Sequence, residues 1–224
     1  MTTTETAAGF AVKQHSGIAR ALGAWEKVRN NSMAIAAGLS QGQVNFRPDA
    51  KSWSIGQNLD RLVKIDSIYR EHIQKLIDLA RDTNRLTIVM PWGEGDPRPP
   101  IIPAAVMPLM TLPMTLMNMF VPNTVRELFL RYPLMPAVSP QRAEPHSGKS
   151  PSELMMSLQA SFEETRALLV CNLPPNVSKV AVVHPVFGRN TISDILGLMT
   201  AHELRHGIQM EKISRSANFP SAGA

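Results

Sequence analysis

Four stretches of the chain place apolar residues at alternating three- and four-residue steps, and three of them open with a helix-capping signature. Together these features leave little room for any fold but packed helices. The first stretch, 12–37, repeats Ile18, Leu22, Trp25 and Val28 and ends at Gly38, a natural C-terminal stop. The second begins at Ser54-Ile-Gly-Gln57, where the serine caps the helix and the glutamine reaches back to the serine amide. Its stripe is Ile55, Leu59, Leu62, Tyr69, Ile73 and Leu76. The third opens with Ser150, Pro151 and Glu153, a cap, a first-turn proline and a box acid in the right order. Leu154, Leu158, Phe162 and Leu169 form its buried side. The fourth starts at Thr191-Ile-Ser-Asp194, again a capping box. The expectation is an all-α fold, a four-helix bundle.

Between the second and third helices, residues 86–149 obey no clean period and form a long insertion rich in Pro and Met. Residues 91–103 and 133–149 read as loop. Met107, Met110, Met114 and Met117 fall at helical steps that prolines interrupt, and a further turn or two of helix is expected over 123–131. This insertion serves as packing filler, as a lid over the open end of the bundle, or as a surface for a homodimer partner. Short strands are expected near 86–90 and 180–183, too few to make a sheet. The domain layout is therefore a flexible N-terminus over 1–11, the bundle over 12–213, and a flexible tail over 214–224.

Composition narrows the function. Apolar residues make up 44% and charged residues 18%, a folding composition. Aromatics at 5% argue against modules that stack bases on exposed rings. The net charge of +5 is scattered without a basic tract, so no nucleic-acid partner is expected. The single cysteine, Cys171, excludes an internal disulfide and a cysteine-based zinc cluster, and no base beside it marks it as a nucleophile. Residues 101–121 are apolar but carry Pro103, Pro108 and Pro113, so no membrane span is expected and the chain is placed in the cytoplasm. Trp25 and Trp53 read as core anchors, and Trp92 as a loop residue that could belong to a lid.

The fourth helix carries the chemistry. Its stripe runs Ile192, Ile195, Met199, His202, His206, Gln209 and Ile213, which sets two histidines and a glutamine on the face that buries the isoleucines. Polar groups there need partners. Histidines at i and i+4 stack two imidazoles that can either share one metal or hydrogen-bond to core neighbours. The same residues spell His202-Glu203-Leu-Arg-His206, the zinc-protease pattern with Glu203 as base. The extended form of that motif needs Gly and His at 209 and 212, where this chain has Gln209 and Lys212, and few residues remain for a third ligand. The protease reading fails on these grounds.

The segment Trp53-Ser-Ile-Gly-Gln-Asn-Leu-Asp-Arg-Leu62, preceded by Arg47-Pro48, resembles the second helix of the DinB-like superfamily. His184-Pro-Val-Phe-Gly188, followed by Ala201-His-Glu-Leu-Arg-His-Gly-Ile-Gln209, resembles that family's lead-in and fourth helix. The resemblance spans about 18–213. It implies an up-down-down-up four-helix bundle that holds a divalent metal, commonly nickel or zinc, on three histidines. Relatives include thiol-dependent transferases and isomerases that use bacillithiol, mycothiol or glutathione. Two of the family's histidines carry over as His202 and His206. The third falls eight residues after the tryptophan of the second helix, and that position here is Arg61.

An arginine stays charged and cannot ligate a metal. Its guanidinium would stand where the cation usually sits, paired with Glu203 or Asp60. His184 is a candidate third ligand, whereas His72, about 16 Å further along the second helix, is too far. Asn58 and Asp60 are nearby oxygen donors. Two readings of function stay open. One is a metal-dependent small-molecule enzyme, a thiol-dependent transferase or hydrolase with a degenerate nickel, zinc or iron site on His202 and His206, where Glu203 or Gln209 orients a ligand. The other is a metal-free ligand-binding or dimeric interaction protein whose pocket is lined by Arg61, His202 and His206 and holds an anion or a carboxylate. No catalytic residue is assigned.

Overall fold

The computed structural model describes residues 15–82, 85–89, 141–170, 173–184 and 188–221, with isolated positions between 109 and 128. Four long helices form the bundle: α1 (Ser16–Ala36), α3 (Ile55–Arg81), α4 (Pro151–Val170) and α5 (Ile192–Ser214). A short helix, α2 (Gln41–Asn45), joins α1 to α3. The expected caps form. Ser54 and Gln57 exchange side-chain and backbone hydrogen bonds at the start of α3, as do Thr191 and Asp194 at α5 and Ser150 and Glu153 at α4. Ser40 and Gln43 make a further box at α2. Each cap satisfies amides that the first turn leaves without an intrahelical partner.

The apolar stripes meet in two clusters. Trp25, Tyr69, Ile73, Leu76, Phe162, Leu169 and Ile195 pack toward one end, and Val44, Ile55, Leu59, Leu62, Leu154, Leu158 and Met210 toward the other. α1 packs mainly on α5, while α3 packs on both α4 and α5. At the α2–α3 contact a side chain on Gly56 would meet Val44 Cγ1 at 2.8 Å, so this close approach needs glycine.

The short strands do assemble into a sheet, contrary to expectation. β1 (Thr87–Val89) pairs in parallel with β2 (Ala181–His184), which pairs antiparallel with β3 (Gly188–Asn190). The third strand was missing from the sequence reading because Gly188-Arg-Asn190 has no alternating apolar pattern. Gly188 opens it at φ +65°, a conformation that favours glycine. β2 is buried throughout and lies against α3, whereas β1 is exposed.

The chain beyond α5 was expected to be a flexible tail. In the structure Phe219 packs edge-on against Phe46 with centroids 5.5 Å apart, and the carbonyl of Pro220 accepts a bond from Gln43 Nε2. In the insertion, Thr124, Val125, Glu127 and Leu128 are helical, as expected over 123–131. The four methionines, Trp92, Cys171 and residues 1–11 lie outside the described residues. Among the described residues, no helix is long and apolar enough to cross a membrane.

Candidate functional site

His202 and His206 face α3 from α5. Their Nε2 atoms approach to 3.2 Å, and His206 Nδ1 lies 2.7 Å from Asn58 Oδ1. Asn58 also places its Nδ2 2.8 Å from the Ser54 carbonyl. A carbonyl only accepts, so Nδ2 donates there and Oδ1 faces His206 as acceptor. His206 therefore carries its proton on Nδ1 and presents a lone pair at Nε2. His202 must then donate from Nε2, which leaves its Nδ1 as an acceptor. The cap that starts α3 thus fixes the tautomers of both histidines.

Arg61, one turn beyond Asn58, completes the arrangement. It is 93% buried, and its Nη1 donates to the carbonyl of Ala143. Its guanidinium carbon lies 5.9 Å from the Trp53 ring centroid, and Trp53 lies parallel to the His206 ring at 5.9 Å. Trp53 is half-buried, so the core-anchor expectation for it is corrected: it is a wall of the site. Arg205 reaches the site from α5. Burial lowers the pKa of both arginines. Arg61 falls to about 10, with Arg205 adding to its shift, so it stays charged at neutral pH.

The histidines respond to the same surroundings. Burial first, then Arg205 and Arg61, takes His206 down to about 3, against an opposing side-chain hydrogen bond with Gln209. His202 is lowered well below the ordinary range by burial, then by His206, Arg61 and Arg205. Both imidazoles are neutral at pH 7.

The expected partners of Arg61 are engaged elsewhere. Glu203, expected to line the pocket or orient a ligand, is buried on another face of α5. It accepts from Arg29 Nε at 2.8 Å, Arg29 Nη2 at 3.0 Å and Trp25 Nε1 at 2.8 Å. Arg29 also binds Asp66 Oδ2 at 2.6 Å, so three charged side chains from α1, α3 and α5 form a network inside the bundle. Sequence reasoning missed this network. Its signal was one charged residue on each apolar stripe, at Arg29, Asp66 and Glu203.

Asp60 accepts from the His146 amide at 2.7 Å and from Lys149 Nζ at 2.6 Å. It thereby ties residues 142–149 along α3, with Lys64 donating to the Glu144 carbonyl and Arg142 pairing with Glu71. His184 sits in β2 with its ring 6.3 Å from that of His72. It is not brought in as a third ligand, because the strand directs it toward α3 at His72. Gln209 lies beside His206, and its side chain is partly buried against it.

The fit to a metal can be judged from these donors. Two Nε2 atoms 3.2 Å apart suit a shared divalent ion with bonds of about 2.0–2.1 Å. Asn58 holds His206 in the tautomer a metal needs. However, among the described residues no group of three or more His, Cys, Asp or Glu side chains could hold an ion. The charged groups that act on the pair are two cations, Arg61 and Arg205. The residues present do not fit a three-ligand metal centre.

The DinB superfamily model matches residues 24–210, which covers most of the chain. The chain belongs to the DinB superfamily. A search of curated proteins finds no match. Among solved structures the chain is similar to YfiT from Bacillus subtilis, with 14% identity and a TM-score of 0.51 over 88% of this chain and 86% of that one. YfiT is described as "a probable metal-dependent hydrolase with an unusual four-helix bundle topology". The likeness confirms for this DinB protein the bundle expected from its sequence.

Proposed function

We propose that this DinB protein uses the end of the bundle between α3 and α5 to bind a small organic anion, in place of the three-histidine metal centre. The observation that carries the reading is Arg61, a buried guanidinium that makes no ion pair among the described residues, at the position where the family resemblance puts the third histidine. Arg205 adds a second positive charge. Glu144 is the carboxylate whose charge acts on Arg61, while Asp60, Asp66 and Glu203 are committed to Lys149, Arg29 and backbone groups. An anion entering the site gains the attraction of both arginines in a partly desolvated setting. Neutral His202 and His206 add an acceptor and leave the positive charge to the arginines.

The test is stabilisation by simple anions. Acetate or inorganic phosphate at about ten times its dissociation constant should raise the unfolding free energy by about 1.4 kcal/mol in the wild type. The gain should vanish in Arg61→Met. Equal shifts in both proteins would overturn the reading.

A second reading is favoured by one observation, the 3.2 Å spacing of the two Nε2 atoms. In it, His202 and His206 hold a nickel, zinc or iron ion whose remaining positions are filled by a small-molecule ligand such as a thiol. When bound, such an ion would supply Lewis-acid activation. Metal uptake that depends on both histidines would favour this reading over the first.

A further inference from the structure

The side of α5 away from His202 and His206 carries small residues where helices usually place larger ones. Gly197 and Ala201, one turn apart, share with Ala24 of α1 the lining of a cavity of about 360 Å³, with Leu204 and Leu128 as walls. Small-molecule sites occupy roughly 300–1,000 Å³, so this one has room for a compact ligand.

The insertion supplies the cavity with one charged group, Glu127. A methyl group built on Gly197 would stand 2.6 Å from Glu127 Oε1, so the missing side chain at 197 is what lets the carboxylate lie down on α5. Glu127 is partly buried there and makes no hydrogen bond or ion pair among the described residues. The other described side chains of the lining are apolar or threonine. Thr200 already donates its hydroxyl to the Leu196 carbonyl at 2.8 Å, and no described cation lines the cavity. A carboxylate drawn partly out of water among apolar walls is costly until a cation meets it. The alanine and leucine walls would leave further polar groups of a ligand without partners, so the rest of the ligand is apolar.

We infer that this cavity binds a small organic ammonium ion, its charged head on Glu127 and its apolar body between Ala24, Ala201 and Leu204. A ligand held there bridges the insertion to α1 and α5. The cavity lies across α5 from the histidines, so the inference stands whether or not the Arg61 pocket binds anions. The net charge of +5 repels amines in general, so uptake of one reports this carboxylate and not the field of the whole chain.

Titration calorimetry with the full chain at neutral pH tests the inference with cyclohexylammonium and cyclohexanol, which share a shape and differ in charge. The ammonium ion should bind about tenfold more tightly than the alcohol, the effect of one hydrogen bond to a charged group. Glu127→Gln should lower the ammonium ion to the affinity of the alcohol. Ala24→Leu changes an exposed position of α1, narrows the cavity and should weaken both probes alike. Equal affinities of the two probes in the wild type, a preference that persists in Glu127→Gln, or no binding of cyclohexylammonium at millimolar concentration would each overturn the inference.

Discussion

His206 shows how strongly a single residue here depends on its surroundings. Its pKa in the fold is about 3, against about 6.5 for an ordinary histidine, because burial and two arginines oppose its charge. His202 shifts in the same direction. A histidine whose pKa is lowered on folding stabilises the native state above its unfolded pKa, and that contribution is lost as pH falls. Between pH 6.5 and 5 His206 should cost about 1.6 kcal/mol of unfolding free energy, and His202 should add to the loss. Denaturant titrations at the two pH values should show this loss in the wild type and a smaller one in His206→Gln. An unchanged slope in the variant would mean that His206 takes up a proton in the native state. At the same scale, Trp53 escaped the sequence reading. A tryptophan just before a helix cap looks like a core anchor, and only its parallel stacking on His206 reveals a site wall.

At the scale of elements, α5 is buried on two sides, and the two stripes have different roles. His202 and His206 turn to α3, whereas Leu196, Glu203 and Met210, spaced by seven residues, line a second buried stripe. Glu203 binds Arg29 and Trp25 from there. The caps, helix limits and His202–His206 stripe were legible because they depend on neighbours in sequence. The fate of Glu203 was not, since it depends on Arg29, 174 residues away. Breaking that buried pair with Glu203→Gln should cost about 3–5 kcal/mol, because Arg29 loses its bidentate partner.

Asp66 should behave differently. Burial raises its pKa to about 6 in spite of Arg29, so the fold favours its protonated form. Its contribution is complete below pH 3.8 and is lost as pH rises through 6, up to about 3 kcal/mol. Asp66→Asn should therefore be at least as stable as the wild type at pH 8, where Glu203→Gln is not. A loss of more than about 1 kcal/mol in Asp66→Asn at pH 8 would show that the bond of ionised Asp66 to Arg29 outweighs the cost of its burial.

For the whole molecule, the segment 142–149 links the insertion to the site. Asp60 holds it through the His146 amide and Lys149, and Arg61 holds it through the Ala143 carbonyl. The Asp60 carboxyl is pushed below the usual range by these bonds and charges, against the opposing effect of its burial. Asp60→Ala should loosen the segment and raise its cleavage by a protease of low specificity, while the bundle core stays resistant. Equal cleavage patterns would mean that the segment is held by something other than α3. The architecture around this segment was readable as four helices with an insertion. The three-stranded sheet was not, because β1 and β2 are distant in sequence and neither is long enough to announce a partner.

The central claim is that Arg61 has replaced a metal ligand. Elemental mass spectrometry of untagged protein, equilibrated with nickel, zinc or iron and then desalted, tests it most directly. The account predicts far less than one ion per chain in the wild type and near one per chain in Arg61→His, which restores a third imidazole beside His202 and His206. Near-stoichiometric metal in the wild type that disappears in the His202→Ala, His206→Ala double variant would contradict it.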